Sequence, residues 1–326
     1  MQFNKLKLAA VTAVAILAGV TAGQAQTSLK LAVETTPGDP LNVMLTAFKN
    51  DLAEKAADDL DIEFFEAGAM GDEGALMEMI RANQVQVVPL GSDIVQLDDK
   101  FAVFDAPFLF SDKESARKAL DGELGDMLAA SLREEAGLQV LAFGELGFRA
   151  ISNNVRPIET PEDLNGLKLR TPGSETRILA FKTLGAAPTP MNLGEVYVAL
   201  RQGVLDGQEN PLSVVKEFSL FEVQKYISLT NHVYSPITLA MNAEAWDSLD
   251  KETQEKVLAA AEAGAQKTRE LSDESDANLV GEFEAAGVKV NKPEIAPFRE
   301  AAAPVHAAIA KIVGEDFMTK AKEAAE

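Results

Sequence analysis

The sequence contains no cysteine in 326 residues, so disulfides, thiolate nucleophiles and cysteine-based zinc or iron–sulfur sites are excluded. It contains two histidines, His232 and His306, too few for a histidine-rich metal site. A serine–histidine–aspartate triad would have to recruit one of them, and no G-x-S-x-G elbow supplies the nucleophile. A structural role is expected for each. Positive charge is also scarce: 30 lysines and arginines face 51 acidic residues, a formal net charge of −21. Such a surface repels nucleic acid and anionic membranes. It still admits a small anionic ligand, because a local pair of arginines can override the average field. The hydrophobic share of 47% and charged share of 25% are ordinary for a globular chain. The length suits about two domains.

Long apolar runs are missing except at the start. Lys5 and Lys7 precede an uncharged stretch from Leu8 to Val20, followed by the small residues of TAGQAQ. A run of that length is too short to span a bilayer, whereas basic flank, apolar core and small-residue exit form an export signal. Gly23 and Ala25 occupy the −3 and −1 places, so residues 1–25 are expected to be cleaved after Ala25, leaving a soluble periplasmic protein. No cysteine follows to carry a lipid. Loss of the two lysines moves the net charge from −21 to −23.

The remaining chain alternates strand and helix patterns, which predicts an α/β fold with largely parallel sheets under helices. LKLAVE (29–34), DIEFFEAG (61–68) and VQVVPLG (85–91) read as strands, and LQVLAFGELGFRAISN (138–153) as a long one. Met44, Phe48 and Leu52 recur every four residues on one helical face. The pattern resumes at GLKLRT (166–171), with Ser174 capping a helix whose Ile178, Phe181 and Leu184 are expected to face inward. Asn192 and Glu195 have capping-box spacing, which favours a structural role for Glu195 over a general base. Residues 222–242 read as two successive strands, and Asp250 opens a helix reaching about residue 285. At ~1.5 Å per residue that helix is about 50 Å long, enough to lie across two domains.

Ligands of open α/β sheets sit beyond the carboxyl ends of the strands. Glu34, Gly91-Ser92-Asp93, Arg149, Arg170 and Asn210 all fall there. Arg170 ends the strand of GLKLR, and its planar fork matches a carboxylate bidentately. Arg149 could hold the same anion, with two ion pairs to local acids as the alternative. In VLDGQENP (204–211), Gln208 and Asn210 share one strand face while Glu209 points the other way. The amides would then face a ligand while Glu209 braces an arginine behind; a solvated turn at Asp206-Gly207 is the rival reading. Pro211 ends the strand and starts a helix. GAMGDEG (68–74 after Ala67) lacks phosphate-loop spacing, and Asp72-Glu73 would repel phosphate. Phe101, Phe104, Phe108 and Phe110 are read as core.

The stretch GLKLRTPGSETRILAFKTLGAAPTPMNLGEVYVALRQGVLDGQENP (166–211) resembles the signature region of the solute-binding proteins of TRAP transporters, the DctP-like family. AGAMGDEG (67–74), DAPFLF (105–110), ELGFRAISN (145–153) and YISLTNH (226–232) are similar to further family blocks in the same order. The resemblance implies a two-lobe periplasmic-binding-protein architecture with hinge strands and a long helix spanning both lobes. The lobes are expected at 26–146 plus 236–275 and at 147–235 plus 276–326, with hinges near 145–150 and 231–237. It implies a carboxylate clamp at Arg170 and further polar contacts from Arg149 and Asn210. Leu193 stands where many relatives place an aromatic residue on the ligand. Glu34 and Glu73 would accept hydrogen bonds from ligand hydroxyls and repel a second anion.

The resulting expectation is a binding protein without catalysis, cofactor or metal, and without nucleic acid. It captures an organic acid as a monomer and delivers it to the integral-membrane TRAP permease subunits. A hydroxylated monocarboxylate such as a sugar acid leads, with a C4-dicarboxylate as the alternative ligand and a sensor kinase as the alternative partner.

Overall fold

A computed structural model describes residues 26–57 and 59–326; the expected export signal at 1–25 lies outside the described residues. The first unit begins with β1 (Thr27–Ala32), α1 (Pro40–Lys55), β2 (Leu60–Phe65), α2 (Glu73–Arg81) and β3 (Val87–Leu90). Two short helical turns, Ser92–Gln96 and Asp99–Asp105, lead to α3 (Lys113–Leu120), α4 (Glu123–Ala136) and β4 (Leu138–Phe148). The second unit holds β5 (Ala150–Asn153), β6 (Lys168–Thr171), α5 (Glu175–Thr183), β7 (Ala187–Pro190), α6 (Leu193–Arg201), β8 (Gly207–Asn210), α7 (Leu212–Glu217) and β9 (Tyr226–Ser228). The chain returns along β10 (Tyr234–Asn242) and α8 (Ala243–Ser248), then continues through α9 (Lys251–Ala285) and β11 (Lys289–Asn291) to α10 (Ala296–Val313) and α11 (Glu315–Ala324).

The strands form two sheets, ordered β2-β1-β3-β10-β4 and β11-β9-β5-β8-β6-β7. The inner strands of the first sheet carry apolar residues on both faces, while the edge strand β2 exposes Asp61 and Glu63. Val87, Leu239 and Leu141 point to one core, while their neighbours Val88, Ala240 and Val140 point to the other. A sheet buried between two helix layers requires this pattern. The second sheet repeats it, with Ala150 and Ile227 on one side and Ile151 and Leu169 on the other.

The expected single strand over 138–153 is divided. β4 belongs to the first sheet and β5 to the second, and Arg149 is the residue between them. The sheets are mixed rather than largely parallel: β10 runs antiparallel to β3 and β4, and β5 runs antiparallel to β8 and β9. The reason is topological. A chain that leaves one lobe along β4 and comes home along β10 must reverse direction, and its two crossing strands pair with each other.

The third crossing is α9. Asp250 caps its start by accepting the Thr253 amide at 2.8 Å. Val257, Ala261 and Ala265 pack in the first core, Leu279 and Phe283 in the second. Gly264 lets it approach α1, since a Cβ there would sit 2.7 Å from the Met44 carbonyl oxygen. Residues 276–326 were expected to belong with the second lobe, and the C-terminal helices depart from this. Val305, Ile309, Val313 and Met318 pack with Phe101, Phe104 and Leu128 in the first lobe, because α10 and α11 cover apolar surface there. Phe298 and Ala301, on the start of α10, reach a core of the second lobe. None of the described helices is long and apolar enough to cross a membrane.

Gly207 opens β8 against β5. An added Cβ would run into the Ser152 carbonyl oxygen and lie 2.7 Å from the Asn153 Cβ, and neither backbone can yield without breaking the ladder. Gly207→Ala is expected to lower the unfolding free energy by about 1–3 kcal/mol through overpacking, read as a fall in the urea midpoint; an unchanged midpoint refutes this account of Gly207.

Candidate functional site

The strand ends of the two sheets face each other and enclose a cavity of about 60 Å³. Glu34, Glu73, Arg149, Arg170, Leu193 and Asn210, the six residues singled out from sequence, all line it. A volume of this size suits one small molecule and no polymer.

Arg170 is 4% exposed on β6. Its Nε and Nη2 donate to the Met191 carbonyl oxygen at 2.8 and 2.6 Å. This seats one edge of the guanidinium on a neutral acceptor and leaves Nη1 and the second Nη2 hydrogen uncommitted. Among the described residues no carboxylate pairs with it at hydrogen-bond distance. Burial, with Arg149 nearby, pushes the Arg170 guanidinium down to about 10, so it stays charged at neutral pH. A buried, charged fork with two free donors in line has the geometry that can pair with a carboxylate.

Arg149 has a different assignment. Its Nε donates to Glu209 Oε2, and its Nη2 donates to the Glu209 carbonyl oxygen at 2.5 Å, to Glu209 Oε1 at 2.9 Å and to Asn210 Oδ1 at 2.9 Å. Only Nη1 is lightly used, toward Ser235 Oγ at 3.4 Å. The sequence reading made Arg149 a second holder of the anion; in the structure Glu209 takes most of its fork. Asn210 lines the cavity with one amide hydrogen free, since Nδ2 donates once, to Gln208 Oε1 at 2.7 Å. Gln208 does not reach the cavity. It is fully buried and donates to Ser152 Oγ at 2.9 Å, so it positions Asn210.

Glu209 points to the opposite face of β8, as period-two alternation requires. It also accepts from Arg177 Nη1 at 3.0 Å and binds His232 Nε2 at 3.1 Å. Burial alone would raise its carboxyl, but Arg149 and Arg177 outweigh that and hold it well below the usual carboxylate range. Burial pushes the His232 imidazole down, so the ring is neutral. Its Nε2 must then carry the proton toward Glu209, and Nδ1 accepts from Thr230 Oγ1 at 2.8 Å. His232 is therefore part of the platform behind the site.

Arg177 went unnoticed in the sequence because its helix was read as turning Ile178 inward. Instead Arg177 is 1% exposed, and its Nε donates to Asp105 Oδ1 at 2.8 Å. The other Asp105 oxygen accepts from Ser174 Oγ and Thr176 Oγ1, each at 2.5 Å. Asp105 ends a helical turn of the first lobe, so this cluster ties the two lobes together.

The opposite wall is acidic. Glu34 Oε2 accepts the Glu73 amide at 2.8 Å, and Glu73 Oε1 accepts the Gly91 amide at 2.5 Å. Burial raises both carboxyls, Glu73 the more strongly, with Asp93 reinforcing each. Asp93, placed at a strand end by the sequence, lines the same wall, as does Asp39, which the sequence reading did not select. The capping box expected at Asn192 and Glu195 is absent. Asn192 instead reaches across the cleft, donating from Nδ2 to Asp72 Oδ2 at 2.5 Å. Leu193 starts α6 and supplies an apolar patch of the lining.

The sequence profile described as bacterial extracellular solute-binding protein, family 7, matches residues 31–312. The chain belongs to this family. It is 37% identical over 290 residues to the 2,3-diketo-L-gulonate-binding periplasmic protein YiaO of Escherichia coli, covering 87% of this chain and 88% of that one. Two solved TRAP periplasmic solute-binding proteins superpose with TM-scores of 0.86. One, from a Polaromonas species, is bound to D-erythronate, 33% identical, with 91% of this chain and 98% of that chain covered. The other, from Roseobacter denitrificans, carries β-D-glucuronate, with 31% identity and the same coverage. The family is a binding component of transport. Its two-lobe α/β architecture is the one the sequence led us to expect.

Glu209→Gln would leave Arg149 and Arg177 sharing a neutral acceptor in a dry interior. It is expected to destabilise the protein by about 3–5 kcal/mol at pH 7, as breaking one side of a buried pair does. A carboxyl whose pKa is lowered on folding contributes fully above its unfolded value of about 4.3 and loses that contribution as pH falls below it. The gap between variant and wild type in urea unfolding should therefore narrow below pH 4; equal stability at pH 7 refutes the assignment.

Proposed function

We propose that this protein is the periplasmic capture subunit of a TRAP-type transporter and that its ligand is a hydroxylated monocarboxylate of the sugar-acid class. The observation that carries this reading is Arg170, a buried guanidinium with two free donors and no carboxylate partner. A ligand carboxylate completes it. Asn210 supplies a further donor, and the Glu34 and Glu73 carboxyls take hydroxyl groups on the opposite wall. Three relatives point the same way, since diketogulonate, erythronate and glucuronate are each a single carboxylate on a polyoxygenated chain. A C4-dicarboxylate fits less well. Its second anion would face Glu34, Glu73 and Asp93, while Arg149 is already neutralised by Glu209.

Closure is proposed to occur between a first lobe of residues 26–146 plus 236–275 and a second of 147–235 plus the end of α9, with the C-terminal helices riding mainly on the first. The crossings at Arg149 and before Tyr234 are the hinges. Asp72–Asn192 and Asp105–Ser174 are contacts a closed form would make. The closed protein, acting as a monomer, then presents its ligand to the permease subunits.

Truncating one partner of a buried charge pair costs about 2–5 kcal/mol, so Arg170→Ala should weaken binding of D-erythronate or D-glucuronate by roughly thirty-fold to several thousand-fold. Arg170→Lys should also lose most of the affinity, because a point charge reproduces neither the Met191 seat nor the fork. Asn210→Ala should cost less. Titration calorimetry decides it, and an Arg170→Ala protein within about threefold of wild type removes the clamp from this residue.

The export signal is tested by N-terminal sequencing of the protein recovered from the periplasm. The expected first residue lies at or near Gln26; a mature protein that begins at Met1, or that is found only in membranes, overturns the reading.

A further inference from the structure

Asp39 caps α1, its Oδ1 accepting the Leu41 amide at 2.9 Å. It is 1% exposed, it lines the cavity, and its Oδ2 is shielded from solvent with no hydrogen-bond partner. An ionised carboxylate in that position would leave charge in the cavity wall without a partner, which is expensive. The Thr35 hydroxyl beside it favours the anion, but the charged groups around it do not. Glu34 lies on the segment after β1, and Glu217 approaches from α7 across the cleft. Glu73 from α2 and Asp93 from the turn after β3 share the wall. Lys216, beside Glu217 on α7, is paired with Glu282 of α9 at 3.0 Å. On its own helix, Asn42 is tied to Glu66 at 3.0 Å. The cations facing the cavity are Arg149, which Glu209 neutralises, and Arg170. Four carboxyls thus confront one uncommitted guanidinium, and the ligand carboxylate takes that one.

We propose that Asp39 is an acid of this cavity wall whose protonation is linked to ligand binding, neutral when the cleft is closed, so that the organic acid is captured together with a proton. This rests on the reading of Arg170 as the carboxylate clamp. Burial pushes the Asp39 carboxyl up to about 7 against the pull of the Leu41 amide and the Thr35 hydroxyl, and Glu34 and Glu217 push the same way as burial. Sealing an anion beside a half-protonated acid drives protonation to completion. Proton uptake on binding is therefore largest on the alkaline side of neutrality and absent near pH 5. With one linked proton, affinity falls about tenfold per pH unit above the acid's range.

Asp39→Asn isolates the effect. The amide keeps an oxygen for the Leu41 N–H and presents an N–H where the neutral acid presents its O–H, but it cannot titrate. The first measurement uses no ligand. A carboxyl raised above its unfolded value of about 3.9 destabilises the fold as pH climbs from there through its folded value. Asp39→Asn should then melt above wild type at pH 8, with the gap narrower at pH 5 and closed only below about pH 4; equal melting temperatures at pH 8 and pH 5 overturn the neutral Asp39. The second measurement is calorimetry with D-erythronate and D-glucuronate in buffers of different ionisation enthalpy. Wild type should take up protons at pH 8 and none at pH 5. Asp39→Asn should bind at pH 8 at least as tightly as wild type with reduced uptake. Binding at pH 8 without proton uptake overturns the proposal, as does an Asp39→Asn protein that binds more weakly than wild type there. If wild type binds neither acid at any pH, the sugar-acid reading fails, and the melting curves still decide the state of Asp39.

Discussion

The carboxylate of Glu209 organises the interior of this protein. It is fully buried, and it is the common partner of Arg149 from the crossing between the sheets, Arg177 from α5 and His232 from the return crossing. Three separate stretches of chain converge on one acid. Such an arrangement is not an efficient source of net stability, since taking several charges out of water nearly cancels their attraction. Its consequence is positional. Arg149 can point only where Glu209 allows, Asn210 is held between Arg149 and Gln208, and the cavity inherits a wall of fixed donors.

That wall makes the cleft electrically lopsided. The second lobe presents Arg170, Arg149 and the Asn210 amide; the first presents Glu34, Asp39, Glu73 and Asp93. The polarity explains how a strongly acidic protein can take an anion. A carboxylate can seat only on the basic jaw, and any group that meets the acidic jaw must be neutral and able to share hydrogens. Hydroxyl groups satisfy that requirement and a second carboxylate does not. The inter-lobe contacts Asn192–Asp72 and Asp105–Ser174 place the jaws at a separation suited to one small molecule.

Much of this was legible in the residues. The strand ends locate the cleft without any structure, and alternation along VLDGQENP separates the amides from Glu209. The Asp250 cap and Gly287 bracket a helix long enough to reach both lobes. What misled was local pattern where the tertiary environment prevailed. Asn192 has the spacing of a capping box, yet Asp72 of the opposite lobe claims its side chain. Ile178 is the more apolar residue, yet Arg177 turns inward because Asp105 and Glu209 await it. The strand over 138–153 shows no break in its composition, because the change of sheet at Arg149 needs none.

By itself, then, the sequence determined the α/β class, the two lobes and six of the residues that line the cavity, Arg170 among them. These depend on period, spacing and residue chemistry, which are properties of short stretches. Only the tertiary structure decided which arginine stays free, that the C-terminal helices pack on the first lobe, and that Asp39 lies buried in the cavity wall. Each depends on what a side chain meets from a distant segment. An arginine beside a buried acid and an arginine beside a carbonyl are identical in one dimension, and only folding tells them apart.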